Sequence, residues 1–384
     1  MKIGTAWPWL KVVSAGIGLR VGIASVPPVM ASIQHDFGVG SGAVGLLSAI
    51  PVLCMGGGSF AGYWAERRWG IAGGMRLALM ILMVGLLMRG VTYRFDVLLL
   101  TATLVGLGDA LIRPLLAGFI SQHFRRRTHA VMGVYAASMG MGASVAAYGT
   151  PELASLLSGW QWALGIWALP VAVALLLWCG LSVEGPESRK VLVLPARNDA
   201  LQKVRLQLPL VLVFGLQAGL NYTLVSWLPA VCLSAGMAAK SAGCIMAVLL
   251  GVQMLAGLVF PVVLKWTQMT LVGVALALVP IMMVGIGLLS LPNTVLAGAL
   301  LLGIGTGLLF PVALSLPIER ASTHREAIQL SGVSQAGGYL IGGAMPWLCG
   351  AIITHVGVLV GIVALSMVLL MALATTAVWM LRRS

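Results

Sequence analysis

GLRVGIASVPPVM, residues 18–30, lies inside the first long apolar run of the chain, Val12 to Ile33. At about 1.5 Å of rise per residue, such a run crosses the ~30 Å hydrocarbon of a bilayer. Arg20 stands near its middle, and Pro27 and Pro28 near its far end. An arginine at bilayer depth costs at least about 2.5–3.5 kcal/mol on insertion scales, so it is tolerated where it faces water or partners inside a bundle. The tandem prolines remove two backbone donors and bend the helix. A charged, kinked first helix points to a pathway, and the rest of the chain must supply its walls.

Composition agrees. The 384 residues are 60% hydrophobic and 9% charged, where a soluble domain carries about 25% charged residues. This is a polytopic all-α membrane protein. Its 49 glycines suit helices packed closely in lipid. The net charge of +13 is scattered through loops and not gathered in one domain, which speaks for membrane topology and against a nucleic-acid partner. The first apolar run has no short hydrophobic core followed by a small-residue cleavage site, so no cleaved signal peptide is expected. Cys54, Cys179, Cys232, Cys244 and Cys349 stand singly in apolar runs. With histidines also lacking ligand spacing, neither a metal nor a catalytic set is expected. The glycine strings at 56–58 and 140–142 follow no strand, so no nucleotide-type cofactor is expected.

Polar breaks divide the chain into twelve spans, near 12–33, 41–65, 73–92, 97–122, 130–151, 160–182, 207–234, 241–264, 270–291, 294–318, 327–353 and 356–381. The one long polar interruption, Glu184–Leu206, separates six spans from six. The expected organisation is a six-helix bundle over 1–183, a cytoplasmic linker over 184–206 and a second six-helix bundle over 207–384. Of the 23 Lys and Arg residues, all but Arg20, Arg89, Arg94, Arg113 and Lys240 fall on the side of the N-terminus. The bias places both termini in the cytoplasm of a bacterial inner-membrane protein.

The two sets of six repeat one another. VGLGDALIRPLL (105–116) aligns with LGIGTGLLFPVA (302–313), setting Gly106, Gly108, Leu111 and Pro114 against Gly303, Gly305, Leu308 and Pro311. Spans one and seven align through Ser25/Ser226 and Pro28/Pro229, and MGVYAA (132–137) is similar to SGVSQA (331–336). Repeated six-span halves with a site at midplane are the mark of a secondary transporter. Away from helix ends the membrane charges reduce to Arg20, Asp109 and Arg113. Asp109 and Arg113 are four apart on one helix face and can pair. They either neutralise each other structurally or line a wet cavity with Arg20, where a net +1 suits a small anion or an electron-rich polar molecule. The repeat sets Arg20 against Asn221, Asp109 against Thr306 and Arg113 against Phe310, so the later spans offer only neutral groups. Gln217, Asn221, Tyr222, Gln335 and Tyr339 are the polar candidates there, as ligand contacts or as hydrogen-bonding glue between helices. Arg89, at the end of span three, is expected to snorkel to the headgroups or to line an outer vestibule. Glu66 and Arg67, in GYWAERRWG (62–70), are candidates for a gate ion pair, as is the run 125–127.

GYWAERRWG resembles the Gly-x-x-x-acid-Arg loop of the major facilitator superfamily, with one extra residue before Gly70, and its second copy is eroded to GLVFPVVLKW (257–266). More closely, the chain resembles the cyanate permease and 2-nitroimidazole transporter family. The strings that carry this are LRVGIASVPP (19–28), LLSAIPVLCMGG (46–57), VMGVYAASMGMGA (131–143), WQWALGIWALP (160–170), WLPA (227–230), GIGTGLLFP (303–311) and LSGVSQAGGYL (330–340). The resemblance implies a twelve-helix rocker carrier whose spans one, four, seven and ten line the cavity. It carries the family's first-span arginine onto Arg20, the arginine closing span three onto Arg89, and the glutamine-then-tyrosine face of span eleven onto Gln335 and Tyr339. Arg113, Asp109 and Ser121 depart from the family pattern in span four.

The reading is a monomeric secondary carrier for a small anion or a polar, electron-rich organic molecule, working by proton coupling through Asp109 or by facilitated movement. Efflux of a neutral nitro-aromatic is the second carrier reading. A transport-dead membrane sensor would have the same helices, but no appended signalling domain is seen. An enzyme would need a nucleophile–base set at depth, for which Asp109 is the one candidate base.

Overall fold

The structure, a computed structural model, describes residues 3–124, 128–157, 159–180, 200–321 and 324–382; some side chains within these ranges, Arg67 among them, are not described. Among the described residues all regular structure is helical. Twelve helical segments are long and apolar enough to span a membrane. They are α1 (Trp7–Phe37), α2 (Ser41–Gly58), α3 (Arg68–Gly90), α4 (Phe95–Ile120), α5 (Val131–Leu156) and α6 (Trp160–Cys179). After the polar interruption come α7 (Gln207–Ser234), α8 (Ala239–Thr267), α9 (Leu271–Leu288), α10 (Val295–Glu319), α11 (Leu330–Val356) and α12 (Val358–Leu381). The spans read from hydropathy therefore stand, with ends moved by a few residues. Helix begins at Ala200, ahead of α7 and inside the expected linker; residues 181–199 and the run 125–127 lie outside the described residues.

The proline pair breaks α1. Pro27 and Pro28 have no N–H to offer the carbonyls of Ile23 and Ala24, so the first helix stops at Ala24. A 3-10 turn, Pro27–Val29, follows, and a short helix, Met30–Phe37, closes on Gly38 at φ 60°. The repeat partner behaves differently: α7 carries a single proline, Pro229, at the aligned position, with Pro209 far off near its start, and stays helical from Ala200 to Ser234. Two consecutive missing donors stop a helix where one is absorbed. Helix runs on from α2 into α3, and the kink between them falls at Gly70, near the start of α3, which adopts φ 67°, ψ 175°, a region open to glycine and closed to side chains. Beside it Arg68 lies 5.7 Å from the rings of both Trp64 and Trp69, an aromatic clasp suited to a membrane interface.

Glycines set the helix contacts, and the repeat is visible in them. A methyl on Gly106 would sit 2.6 Å from Pro51 of α2, and one on Gly108 2.9 Å from Leu82 of α3. Their partners behave alike: Gly303 meets Leu249 of α8 at 2.9 Å, and Gly305 abuts Met282 of α9. Thus α4 rests on α2 and α3 as α10 rests on α8 and α9. Two seams join the first six spans to the last six. Along α2–α11, Gly45 meets the Pro346 carbonyl (2.7 Å) and Gly343 meets Leu53 (2.9 Å). Along α5–α8, Gly140 meets Met254 (2.6 Å) and Gly243 meets the Ala147 carbonyl (2.8 Å). The 3-10 turn of α1 packs on α5, α7 and α8 at the end of the bundle away from the termini. There Lys240 of α8 also pairs with Glu152 of α5 at 3.1 Å.

Candidate functional site

The midplane charges come together as the residue types require. Asp109 and Arg113 lie one turn apart on α4, and the guanidinium grips the carboxylate with both prongs: Nε to Oδ1 at 2.9 Å and Nη2 to Oδ2 at 3.0 Å. The carboxylate is fully buried, whereas the Arg113 side chain keeps 20% of its surface open. A buried carboxylate with both oxygens on one planar fork has its charge met at source. Arg20, on α1, is half-buried, and no described residue hydrogen-bonds or ion-pairs with it. Arg20 and Arg113 act electrostatically on the same two phenols, Tyr135 of α5 and Tyr339 of α11, and Arg113 also on Tyr222 of α7. Two cations, one carboxylate and three tyrosines from five helices therefore share one neighbourhood.

The neutral candidates divide. Tyr339 is buried with its ring edge-on to Phe214 at 5.0 Å. Gln335, one turn earlier on the same face, is half-buried. Tyr222 is buried, and its hydroxyl points at Met55 Sδ of α2 at 3.8 Å, bridging the two sets of spans. Asn221 is engaged: its Oδ1 accepts from Gln253 Nε2 of α8 at 2.7 Å. Gln217 is 1% exposed, and both its amide atoms are buried without a partner among the described residues. Such a group is costly unless something reaches it. Glu66 is exposed at the end of the bundle near the termini; the side chain of Arg67, its expected gate partner, lies outside the described residues.

Three residues escaped the sequence reading. Tyr135 sits in MGVYAA, a string that carries the repeat and the family resemblance but gives the tyrosine no role of its own. Its hydroxyl is buried, unpartnered and beside both arginines. Gln253 and Met55 are single polarisable residues in apolar runs, and only their partners across helices distinguish them.

Arg89 is a correction. Far from snorkelling to the headgroups or lining a vestibule, it is 1% exposed. Its Nη1 donates to the Gly22 carbonyl of α1 at 2.5 Å, and its Nε to Thr101 Oγ1 of α4 at 3.2 Å. The cause is the α1 break, which frees a carbonyl that a nearby guanidinium can reach. Lys11, just ahead of the apolar run that begins at Val12, is likewise buried, with its ammonium 5.1 Å from the Trp178 ring. The interior thus holds more positive charge than the three midplane residues alone.

Known proteins align with this architecture over its length. The family model described as Major Facilitator Superfamily matches residues 12–346. The cyanate transport protein CynX of Escherichia coli (strain K12) is 30% identical over 346 residues, covering 89% of each chain. The 2-nitroimidazole transporter of the same organism is 27% identical over 335 residues, 87% of this chain and 85% of the other. Among solved structures, a D-xylose-proton symporter superposes with a TM-score of 0.76 at 12% identity, over 95% of this chain and 96% of that one.

Proposed function

This chain belongs to the major facilitator superfamily, and from that premise we propose that it carries a small anion, of the size and charge of cyanate, by alternating access. It is a transporter and not an enzyme. One observation supports the substrate class above the others: a guanidinium, Arg20, with no partner among the described residues, and a second, Arg113, whose carboxylate partner occupies only one edge of its fork. Both sit among phenols that can donate to an anion. The two guanidiniums and the phenol of Tyr135 bind charge from one side. Gln217, Gln335 and Tyr339 approach from the later spans. The bundles 1–183 and 207–384 rock about this site in an inner membrane, as a monomer, with both termini in the cytoplasm. A neutral nitro-aromatic is the second reading. The motif in its favour is the ring set Tyr135, Tyr222, Tyr339 and Phe214, which can hold a flat heterocycle while Arg20 takes the nitro oxygens.

Asp109 is the proposed proton site. Ionised, it holds Arg113; protonated, it releases Arg113 to join Arg20 on the anion. The groups facing the pair are Arg20, Tyr135, Tyr222 and Tyr339. Proton and anion then favour each other's binding, a reciprocal coupling of typically about 1–3 kcal/mol. The sign follows: anion affinity rises as pH falls. In proteoliposomes, cyanate uptake is expected to be driven by an inward proton gradient. Asp109→Asn is expected to bind at every pH and to lose accumulation. A variant that still accumulates cyanate down a proton gradient would leave the pair a structural bridge. A thermal-shift screen of small anions against 2-nitroimidazole separates the two substrates by which one stabilises the protein, and absence of any uptake in liposomes would favour a sensor.

A further inference from the structure

Arg89 does something that the substrate site does not require. In a continuous helix, the N–H groups of residues 26, 27 and 28 would bond the carbonyls of Gly22, Ile23 and Ala24. Pro27 and Pro28 have no N–H, and the last backbone bond of the first helix of α1 runs from Ser25 to Val21 at 3.2 Å. The Gly22 carbonyl is taken by Arg89 Nη1 instead, at 2.5 Å. The same guanidinium reaches Thr101 Oγ1, whose own proton goes to the Leu98 carbonyl at 2.7 Å. One buried side chain of α3 thereby ties the broken end of α1 to α4. Gly22 allows the approach, since a methyl there would lie 3.1 Å from Val105 and 3.3 Å from Leu86. On one side of the break stands Arg20, two residues away. On the other, the turn Pro27–Val29 packs on α5, α7 and α8 at the end away from the termini.

We infer that Arg89 is a positioning residue of the transport cycle: it splints the break in α1, so that the turn Pro27–Val29 moves with α3 and α4 as one body. A helix interrupted by prolines, with its last carbonyls unpaired, is otherwise a hinge. A planar fork with donors in fixed directions can span a carbonyl and a hydroxyl at once, which a lysine ammonium on a flexible stem does only in part. The inference rests on the chain being an alternating-access carrier and is independent of which substrate it carries.

Hydrogen–deuterium exchange on the purified full chain tests it with Arg89→Gln, Arg89→Lys and Thr101→Val. In Arg89→Gln the amides of 19–33 are expected to exchange about tenfold faster, with α9–α12 unchanged. Arg89→Lys is expected to recover part of the protection, and Thr101→Val to lose part of it. With cyanate as probe in proteoliposomes, Arg89→Gln is expected to lower the maximal rate at least about tenfold while half-saturation stays within about twofold, because the loss falls on the conformational step. Unchanged exchange over 19–33 in all three variants overturns the inference. So does a rise spread evenly over α3 and α4 without excess at the break, which would make Arg89 a packing residue. If the native protein does not carry cyanate, the substrate reading fails and the exchange result decides this inference by itself. If Arg89→Gln does not fold, Thr101→Val carries the test.

Discussion

Arg20 and Tyr135 show how differently two residues of one site announce themselves. An arginine in an apolar run is visible from its cost, and without a ligand it has no ion-pair partner among the described residues. Arg20→Lys keeps the charge and loses the two-pronged grip, so reduced transport is expected; Arg20→Ala is expected to fold and to bind no anion. Normal cyanate uptake by Arg20→Ala would remove it from the site. Tyr135 allows a sharper test because its hydroxyl is buried without a partner. Removing an unpaired buried hydroxyl costs the empty protein nothing in hydrogen bonds, whereas one ligand hydrogen bond is worth about 0.5–1.5 kcal/mol. Tyr135→Phe is therefore expected to match or exceed the native melting temperature while binding the anion about 2- to 10-fold more weakly. Equal affinity with lower stability would make Tyr135 a packing residue. Gln335→Leu is expected to weaken binding at intact expression; a fall in stability alone would identify it as helix glue.

At the scale of elements, broken and bent helices carry the movable parts. The kink between α2 and α3 turns on Gly70 at φ 67°, ψ 175°. A side chain there strains the backbone by about 1–3 kcal/mol. Gly70→Ala is expected to lower thermal stability or to shift the kink into another conformation, read by melting and by proteolysis near Trp69. An unchanged melting curve and digest would show that the turn is not held in that conformation in the membrane protein. The contrast between α1 and α7 belongs here too: aligned prolines at 28 and 229 give a broken helix in one repeat and a continuous one in the other. The extra proline at 27 and the waiting guanidinium of Arg89 make the difference.

For the whole molecule, the seams α2–α11 and α5–α8 join the two sets of spans, and the ion pair Lys240–Glu152 crosses one of them at the end away from the termini. Both partners are substantially exposed, so solvent screens the pair and it contributes little by itself. Glu152→Lys places like charges across the seam and is expected to open that end. The exchanged pair, Glu152→Lys with Lys240→Glu, is expected to restore closure. Spin labels on cysteines placed at Ser155 and Ala238, with the exposed Cys179 and Cys244 replaced by Ser, report the distance between the tips of α5 and α8. No lengthening in Glu152→Lys would show that the seam holds without the pair.

Hydropathy and charge bias alone determined the twelve spans, because each span meets lipid by itself and the cost of an unpaired backbone or a stray charge is local to it. The repeat was legible for a related reason: Gly106 and Gly108, like Gly303 and Gly305, each answer to one close helix contact at a fixed spacing. The Asp109–Arg113 pair was legible as well, being set by a single turn of one helix. Arg89, Tyr135 and the Asn221–Gln253 bond were decided only in three dimensions. Whether an arginine near a helix end reaches water or a carbonyl depends on what a different helix leaves unpaired. The Gly22 carbonyl, left without its helical partner where α1 unwinds ahead of Pro27 and Pro28, is met from α3, 67 residues away in sequence. No periodicity within either segment records that meeting, since what joins them is the packing of α1, α3 and α4 around Gly22.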